Sequence, residues 1–170
     1  MARLIVFAGL PASGKSTLAR QVAARLGAMW LRIDSMDQAI WASGTAPKDL
    51  RDWTYRAAQA VAVDNLRLGR DVVADCVNDW TEARDGWDAA GRDAGAAVIW
   101  LEVVCSDPDE HRRRVETRDV GIPGLVPPDW EAVRGRDYHA WNRDHATIDT
   151  AGRSVGACVD EALAAIGGAG

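Results

Sequence analysis

Gly9-Leu10-Pro11-Ala12-Ser13-Gly14-Lys15-Ser16 places two glycines, a lysine and a hydroxyl at the spacing G-x-x-x-x-G-K-S. Glycine permits the backbone angles of a tight loop. Inward-turned N–H groups ahead of a helix form an anion nest, because unpaired amides and the helix dipole both favour negative charge. Lys15 adds a charge that can bridge neighbouring phosphates, and the Ser16 hydroxyl is of a type that ligates Mg²⁺ beside them. Thr17 supplies an adjacent hydroxyl without a clear duty. The pattern, with an expected strand before it and an expected helix after it, is that of a Walker A loop. It implies a site for the phosphates of ATP and leaves open what becomes of them.

Three further groups carry chemistry. In Arg32-Ile33-Asp34-Ser35-Met36-Asp37 two carboxylates stand one turn apart. Asp34 falls at the carboxyl end of an expected strand, where ligands bind in open α/β sheets. It is placed to take a proton from an acceptor hydroxyl, or Asp34 or Ser35 caps the next helix. Val72-Val73-Ala74-Asp75 is an apolar strand ending in an acid. Asp75 is either a metal-holding carboxylate or an ordinary turn acid. Asn78, three residues on, falls within reach of a metal-bound water or of substrate. Finally, Arg112, Arg113, Arg114 and Arg118 crowd one helix, with Arg114 and Arg118 on one face. They close over a transferring phosphoryl group and stabilise its charge, or they form a solvated face paired with Glu110 and Glu116.

The elements that must position these residues alternate between strand and helix patterns. Strands are expected over 3–8, 30–33, 72–75, 97–104 and 146–148, and helices over 15–26, 35–42, 50–68, 81–94, 108–118 and 129–141. Val155, Val159, Leu163 and Ile166 line a last helix, followed by a glycine-rich tail that frays. Gly27, Gly69 and Gly95 close helices, Thr81 or Asp79 caps the fourth, and Asp107 with Pro108 starts the fifth. Alternating β and α units define an α/β fold with helices on both faces of a mostly parallel five-stranded sheet. At 170 residues the chain is expected to form one domain, 1–170, with a helical lid expected over about 108–141.

On these residues the chain resembles the small P-loop kinases, including gluconate, adenylylsulfate and chloramphenicol kinases and the kinase domain of phage-type polynucleotide 5′-kinases. The last group has a P-loop, an Arg-x-Asp-type base, a strand ending in Asp-x-x-Asn-like residues, and two arginines four apart. The matching positions are Asp34, Asp75 with Asn78, and Arg114 with Arg118, and Val126-Pro127-Pro128-Asp129 is similar to that group's lid exit. The resemblance implies a three-layer P-loop NTPase fold, ATP and Mg²⁺ as cofactors, a hydroxyl-bearing acceptor, and adenine packed near Thr150-Ala151-Gly152-Arg153. A P-loop ATPase or ATP-binding regulatory module, and a 5′-hydroxyl polynucleotide kinase, are the alternatives.

Composition narrows the partners. A net charge of −5 and a pI of about 5.2 argue against coating long nucleic acid, though not against a short 5′ end. Apolar residues make up 48% and charged residues 26%, as in globular proteins. No apolar run is long enough for a bilayer, and no signal-peptide plan is evident. Cys76, Cys105 and Cys158 suit neither a disulfide framework nor a zinc site, so a cytoplasmic setting is expected. His111, His139 and His145 lack metal-ligand spacing and are expected at the surface or in the lid. Most of the eight tryptophans are expected in the core, with Trp41, Trp53 and Trp130 able to flank an acceptor. Asp149-Thr150-Ala151-Gly152 looks like a GTPase switch but follows the last expected strand, and no Asn-Lys-x-Asp motif accompanies it.

Overall fold

A computed structural model describes residues 1–44 and 50–168. In chain order the elements are β1 (Arg3–Ala8), α1 (Lys15–Leu26), β2 (Met29–Arg32), α2 (Ile33–Ala42), α3 (Arg51–Arg67), β3 (Val72–Asp75), α4 (Thr81–Ala94), β4 (Ala97–Val104), α5 (Pro108–Thr117), α6 (Trp130–Arg134), β5 (Ala146–Asp149) and α7 (Val155–Gly168). The strands form one sheet in the order β2-β3-β1-β4-β5, and every pairing is parallel. Central β1 is the most deeply enclosed strand, with Leu4 to Ala8 all at 0% exposure. Because successive side chains alternate faces, Leu4 and Val6 join Val72, Ala74 and Trp87 in one core. Ile5 and Phe7 join Leu18, Val22, Leu101 and Val159 in the other. The result is three layers, α3 and α4 on one face and α1 and α7 on the other.

From β1 the chain crosses to β2 on one flank, and after β3 it crosses to β4 on the other. That reversal opens a crevice at the carboxyl end of β1, the place where open α/β sheets bind ligands. Asp107 caps α5 by accepting from the N–H groups of Asp109 and Glu110, as its position before Pro108 foretells. The start of α4 departs from expectation. Its N-cap is Trp80, without a side-chain bond, and the Thr81 N–H donates instead to His139 Nδ1 at 3.2 Å.

The second lid helix is a larger correction. A helix over 129–141 is expected, but α6 ends at Arg134 with Gly135 as its C-cap. The backbone beyond is committed elsewhere: the buried Arg84 donates to the carbonyls of His139 and Ala140, and Arg136 pairs with Asp79. The tryptophans divide as expected: Trp87 and Trp100 are buried in the core and Trp30, Trp80 and Trp141 pack against it, while Trp41 and Trp53 are exposed. No described helix is long and apolar enough to cross a membrane. The three cysteines are free thiols. Residues 169–170 of the glycine-rich tail lie outside the described residues.

Candidate active site

The loop between β1 and α1 is shaped by backbone angles that few residues tolerate. Gly9 has φ 138°, and a Cβ there would fall 2.2 Å from the Val103 carbonyl oxygen. Gly14 has φ 102° and is the N-cap of α1. Ala12 adopts φ 66°, a left-handed conformation that costs a non-glycine residue on the order of 1 kcal/mol. The first N–H groups of α1 therefore open toward the crevice with the dipole behind them.

Lys15 and Ser16 begin α1 and converge on one carboxylate. Lys15 Nζ donates to Asp75 Oδ1 at 2.9 Å, and Ser16 Oγ donates to the same oxygen at 3.1 Å. Asp75 Oδ2 is enclosed without a hydrogen bond, 4.0 Å from Arg32 Nε. Burial works against the lysine charge, but Asp75, and after it Asp34, outweigh burial and raise its pKa above the ordinary value. This oxygen-rich pair suits a hard divalent cation. No group of three or more His, Cys, Asp or Glu side chains gathers among the described residues to hold a metal alone. Mg²⁺ held by Ser16 and Asp75 would complete its shell with phosphate oxygens and water.

An open cleft of about 1100 Å³ extends from this loop between α2, the segment from Arg118 to Pro128 and the β5–α7 turn. Leu10, Pro11, Ala12, Gly14, Lys15, Ser16 and Thr17 line it, as do Asp34, Asp37, Arg114, Arg118 and Arg153. Asp34 sits in the first turn of α2, whose N-cap is Arg32 without a side-chain bond, so neither Asp34 nor Ser35 caps that helix. Among the described residues Asp34 has no hydrogen-bond or ion-pair partner. Trp41 reaches the lining, Trp53 borders a side recess, and Trp130 instead packs edge-on against His111.

The two arginines expected to act together are split. Arg114 is fully engaged: it donates to Thr150 Oγ1 at 2.7 Å, to the Thr150 carbonyl at 3.0 Å and to Glu110 Oε1 at 2.5 Å, with a longer contact to the Ser13 carbonyl. Glu110 accepts the Gly152 N–H with its other oxygen, and that bond, then Arg114, pulls its carboxyl below the usual range. Thr150 Oγ1 lies 2.7 Å from the Ser13 carbonyl, and His111 Nε2 lies 2.8 Å from the Pro11 carbonyl. Helix α5 is thus fastened to the phosphate loop and to the turn after β5. Arg118, at the C-cap of α5, has no such partner among the described residues. Arg112 pairs outward with Glu116.

His111 and Glu110 escape sequence reasoning as site residues, and Thr150 enters it only as a neighbour of adenine. Only Glu110 leaves a local trace, its four-residue spacing to Arg114. Arg114→Gln should loosen the loop and the turn together, raising the KM for ATP about tenfold with a smaller change in kcat. Steady-state kinetics would show it.

Asn78 is not at the cleft. It is 0% exposed with φ 53°, its Nδ2 donates to the Phe7 carbonyl at 3.0 Å, and its Oδ1 accepts from Trp87 Nε1. Its backbone meets Tyr55 and Arg84. Asn78 therefore ties the β3 turn to β1 and α4 beneath the site rather than touching a metal-bound water or substrate. Asn78→Ala should cost about 3 kcal/mol, a melting-temperature loss of roughly 6–12 °C. Asn78→Gly, free of left-handed strain, should be milder by about 1 kcal/mol. Calorimetry of both variants tests this.

An all-parallel sheet of this order, with the phosphate loop at its switch point, defines a P-loop nucleotide-binding fold. The family model described as an AAA domain, AAA_33, matches residues 4–121, and the chain belongs to that family. Among solved structures it is similar to the APS kinase CysC of Mycobacterium tuberculosis, in complex with AMPPNP and APS, at 20% identity and TM-score 0.72 over 98% of each chain. It is similar to a sugar kinase from Janibacter sp. HTCC2649, at 18% identity and TM-score 0.70, covering 98% of this chain and 95% of that one. Kti12 of Chaetomium thermophilum with ADP-AlF3 shares 21% identity and a TM-score of 0.67, over 96% and 98%. The fold is that of small P-loop kinases and ATPases.

Proposed function

We propose that the protein is an ATP- and Mg²⁺-dependent kinase that phosphorylates a hydroxyl of a small molecule or nucleotide. One observation carries the reading: Asp34, a carboxylate without a partner among the described residues, lines the same cleft as Lys15 and is close enough to raise its pKa. A hydroxyl acceptor needs a group to orient it and take its proton, and Asp34 stands just beyond the end of β2, whereas a water-positioning residue of an ATPase would follow the acid that ends β3. The solved relatives support this reading by fold, since an APS kinase and a sugar kinase share it.

Mg²⁺·ATP supplies the γ-phosphoryl group and a metal charge to offset the developing negative charge. The amides at the start of α1 and Lys15 would grip phosphate, and Ser16 and Asp75 would hold the metal. Arg114 keeps the phosphate loop and the turn of Gly152 and Arg153 in register for the adenine end. Asp34 accepts the proton of the attacking hydroxyl, and Asp37, one turn on, borders the acceptor. Arg118 meets charge at the acceptor side of the transfer. The deciding experiment incubates the protein with γ-labelled ATP and hydroxyl-bearing metabolites, antibiotics, nucleosides and 5′-hydroxyl oligonucleotides. A labelled acceptor is expected; free phosphate alone across the panel would instead identify an ATPase.

A further inference from the structure

Arg118 turns into the cleft partly buried, and its Nε is enclosed without a hydrogen-bond partner. Burial lowers its pKa, Asp34 opposes that shift, and Arg32 adds to it. A guanidinium that gives up water without gaining an acceptor is held unfavourably until a ligand supplies one. Arg32 stands alongside. Its Nη2 donates to the Val120 carbonyl at 2.9 Å, two residues beyond Arg118, and its own Nε is enclosed without a hydrogen bond. Trp30, on the same face of β2, adds a third enclosed donor, Nε1, with the Arg32 guanidinium 5.8 Å from its ring centroid.

Along the cleft lining, cations outnumber carboxylates in a chain whose net charge is −5. Most of these cations already have carboxylate partners: Lys15 has Asp75, Arg114 has Glu110, Arg136 has Asp79 and Arg153 has Glu161. Arg118 does not, and the charges acting on it are Asp34 and Arg32, at the acceptor end. Arg32 is held only at 4.0 Å from Asp75, a carboxylate that Lys15 and Ser16 already share, so Arg118 and Arg32 together leave positive charge beside the residue assigned as base. The segment after α5 lies close over α2: Arg32 donates to the Val120 carbonyl, and Gln38 Nε2 of α2 lies 2.8 Å from where a Cβ on Gly124 would fall.

We propose that the acceptor carries an oxyanion, a carboxylate, sulfate or phosphate, near its reacting hydroxyl, and that Arg118 with Arg32 binds that oxyanion beside Asp34. The proposal rests on the kinase reading above and names its substrate class. The planar fork of Arg118 would fix the oxyanion in direction as well as distance, and so hold the hydroxyl toward Asp34.

In the first test, protein saturated with Mg²⁺ and AMPPNP, which fills the phosphate loop, is titrated with sodium sulfate against sodium chloride at constant ionic strength. Tryptophan fluorescence and calorimetry follow the binding. Saturable sulfate binding is expected, weakened tenfold or more by Arg118→Gln and by Arg32→Gln but unchanged by Arg92→Gln on the exposed side of α4. AMPPNP affinity and melting temperature of each variant confirm that it is folded. No saturable binding to the loaded protein, or equal binding by Arg118→Gln, overturns the proposal.

In the second test, label transfer from ATP is compared within matched acceptors: gluconate against glucitol, adenosine 3′-monophosphate against adenosine, glycerate against glycerol. The anionic member should be favoured at least tenfold, and Arg118→Gln should remove the preference. Preference for the uncharged members overturns the oxyanion while leaving the kinase reading intact. Nucleotide binding with free phosphate as the sole product overturns the kinase reading, and the proposal with it.

Discussion

Lys15→Ala is expected to abolish detectable ATP turnover, a loss of at least about 10²–10³-fold, and to weaken nucleotide binding. The variant also removes the closest partner of a carboxylate that is 2% exposed, leaving Asp75 with the Ser16 hydroxyl and with Arg32 at 4.0 Å. That should cost up to about 3 kcal/mol of stability. The double variant Lys15→Ala/Asp75→Asn separates the two effects, because it relieves the buried charge and should recover much of the stability with none of the turnover. Activity retained by folded Lys15→Ala would remove the lysine from the mechanism. The same pair bears on the metal. Lys15 can leave Asp75 for a phosphate only if another cation takes its place on that carboxylate, so AMPPNP should bind weakly without Mg²⁺. In Asp75→Asn most of that Mg²⁺ dependence should vanish.

What the sequence disclosed, and what it hid, follows the range of the forces involved. Strands β1, β3 and β4 and helices α1 and α4 fall where apolar periodicity and glycine stops place them, because those signals are local. The phosphate loop is legible for the same reason, being defined by eight consecutive residues. Arg114 is different. Its face on α5 was readable from spacing, but its partners Thr150 and Ser13 lie 36 and 101 positions away. Nothing local distinguishes an arginine over a phosphate from one bracing a loop. Asn78 shows the same limit, since its burial depends on Phe7, Tyr55 and Trp87 arriving around a left-handed turn. Helix α6 stops early because Gly135 weakens it and the carbonyls of His139 and Ala140 are captured by Arg84, a residue 55 and 56 positions upstream. Sequence periodicity cannot register such a competitor.

Asp34→Asn should keep ATP affinity within about twofold of wild type while lowering transfer about 10²–10⁴-fold, the range for loss of a positioned general base. The asparagine is isosteric, and Asp34 makes no described hydrogen bond that the change would break. Its charge sits in the first turn of α2 and interacts favourably with the helix dipole, so the stability cost should stay near 0.3–1 kcal/mol. A large fall in turnover with so small a fall in melting temperature cannot come from misfolding. Asp37→Asn is the necessary companion, because Asp37 lines the same cleft one turn further along α2. If Asp34 is the base, Asp37→Asn should alter acceptor KM more than kcat. If the large kcat loss instead follows Asp37→Asn, the base is the second carboxylate and Asp34 serves to hold Lys15 and Arg118 in charge. If neither substitution slows transfer, the acceptor proton leaves by another route and the free carboxylate loses its assigned role.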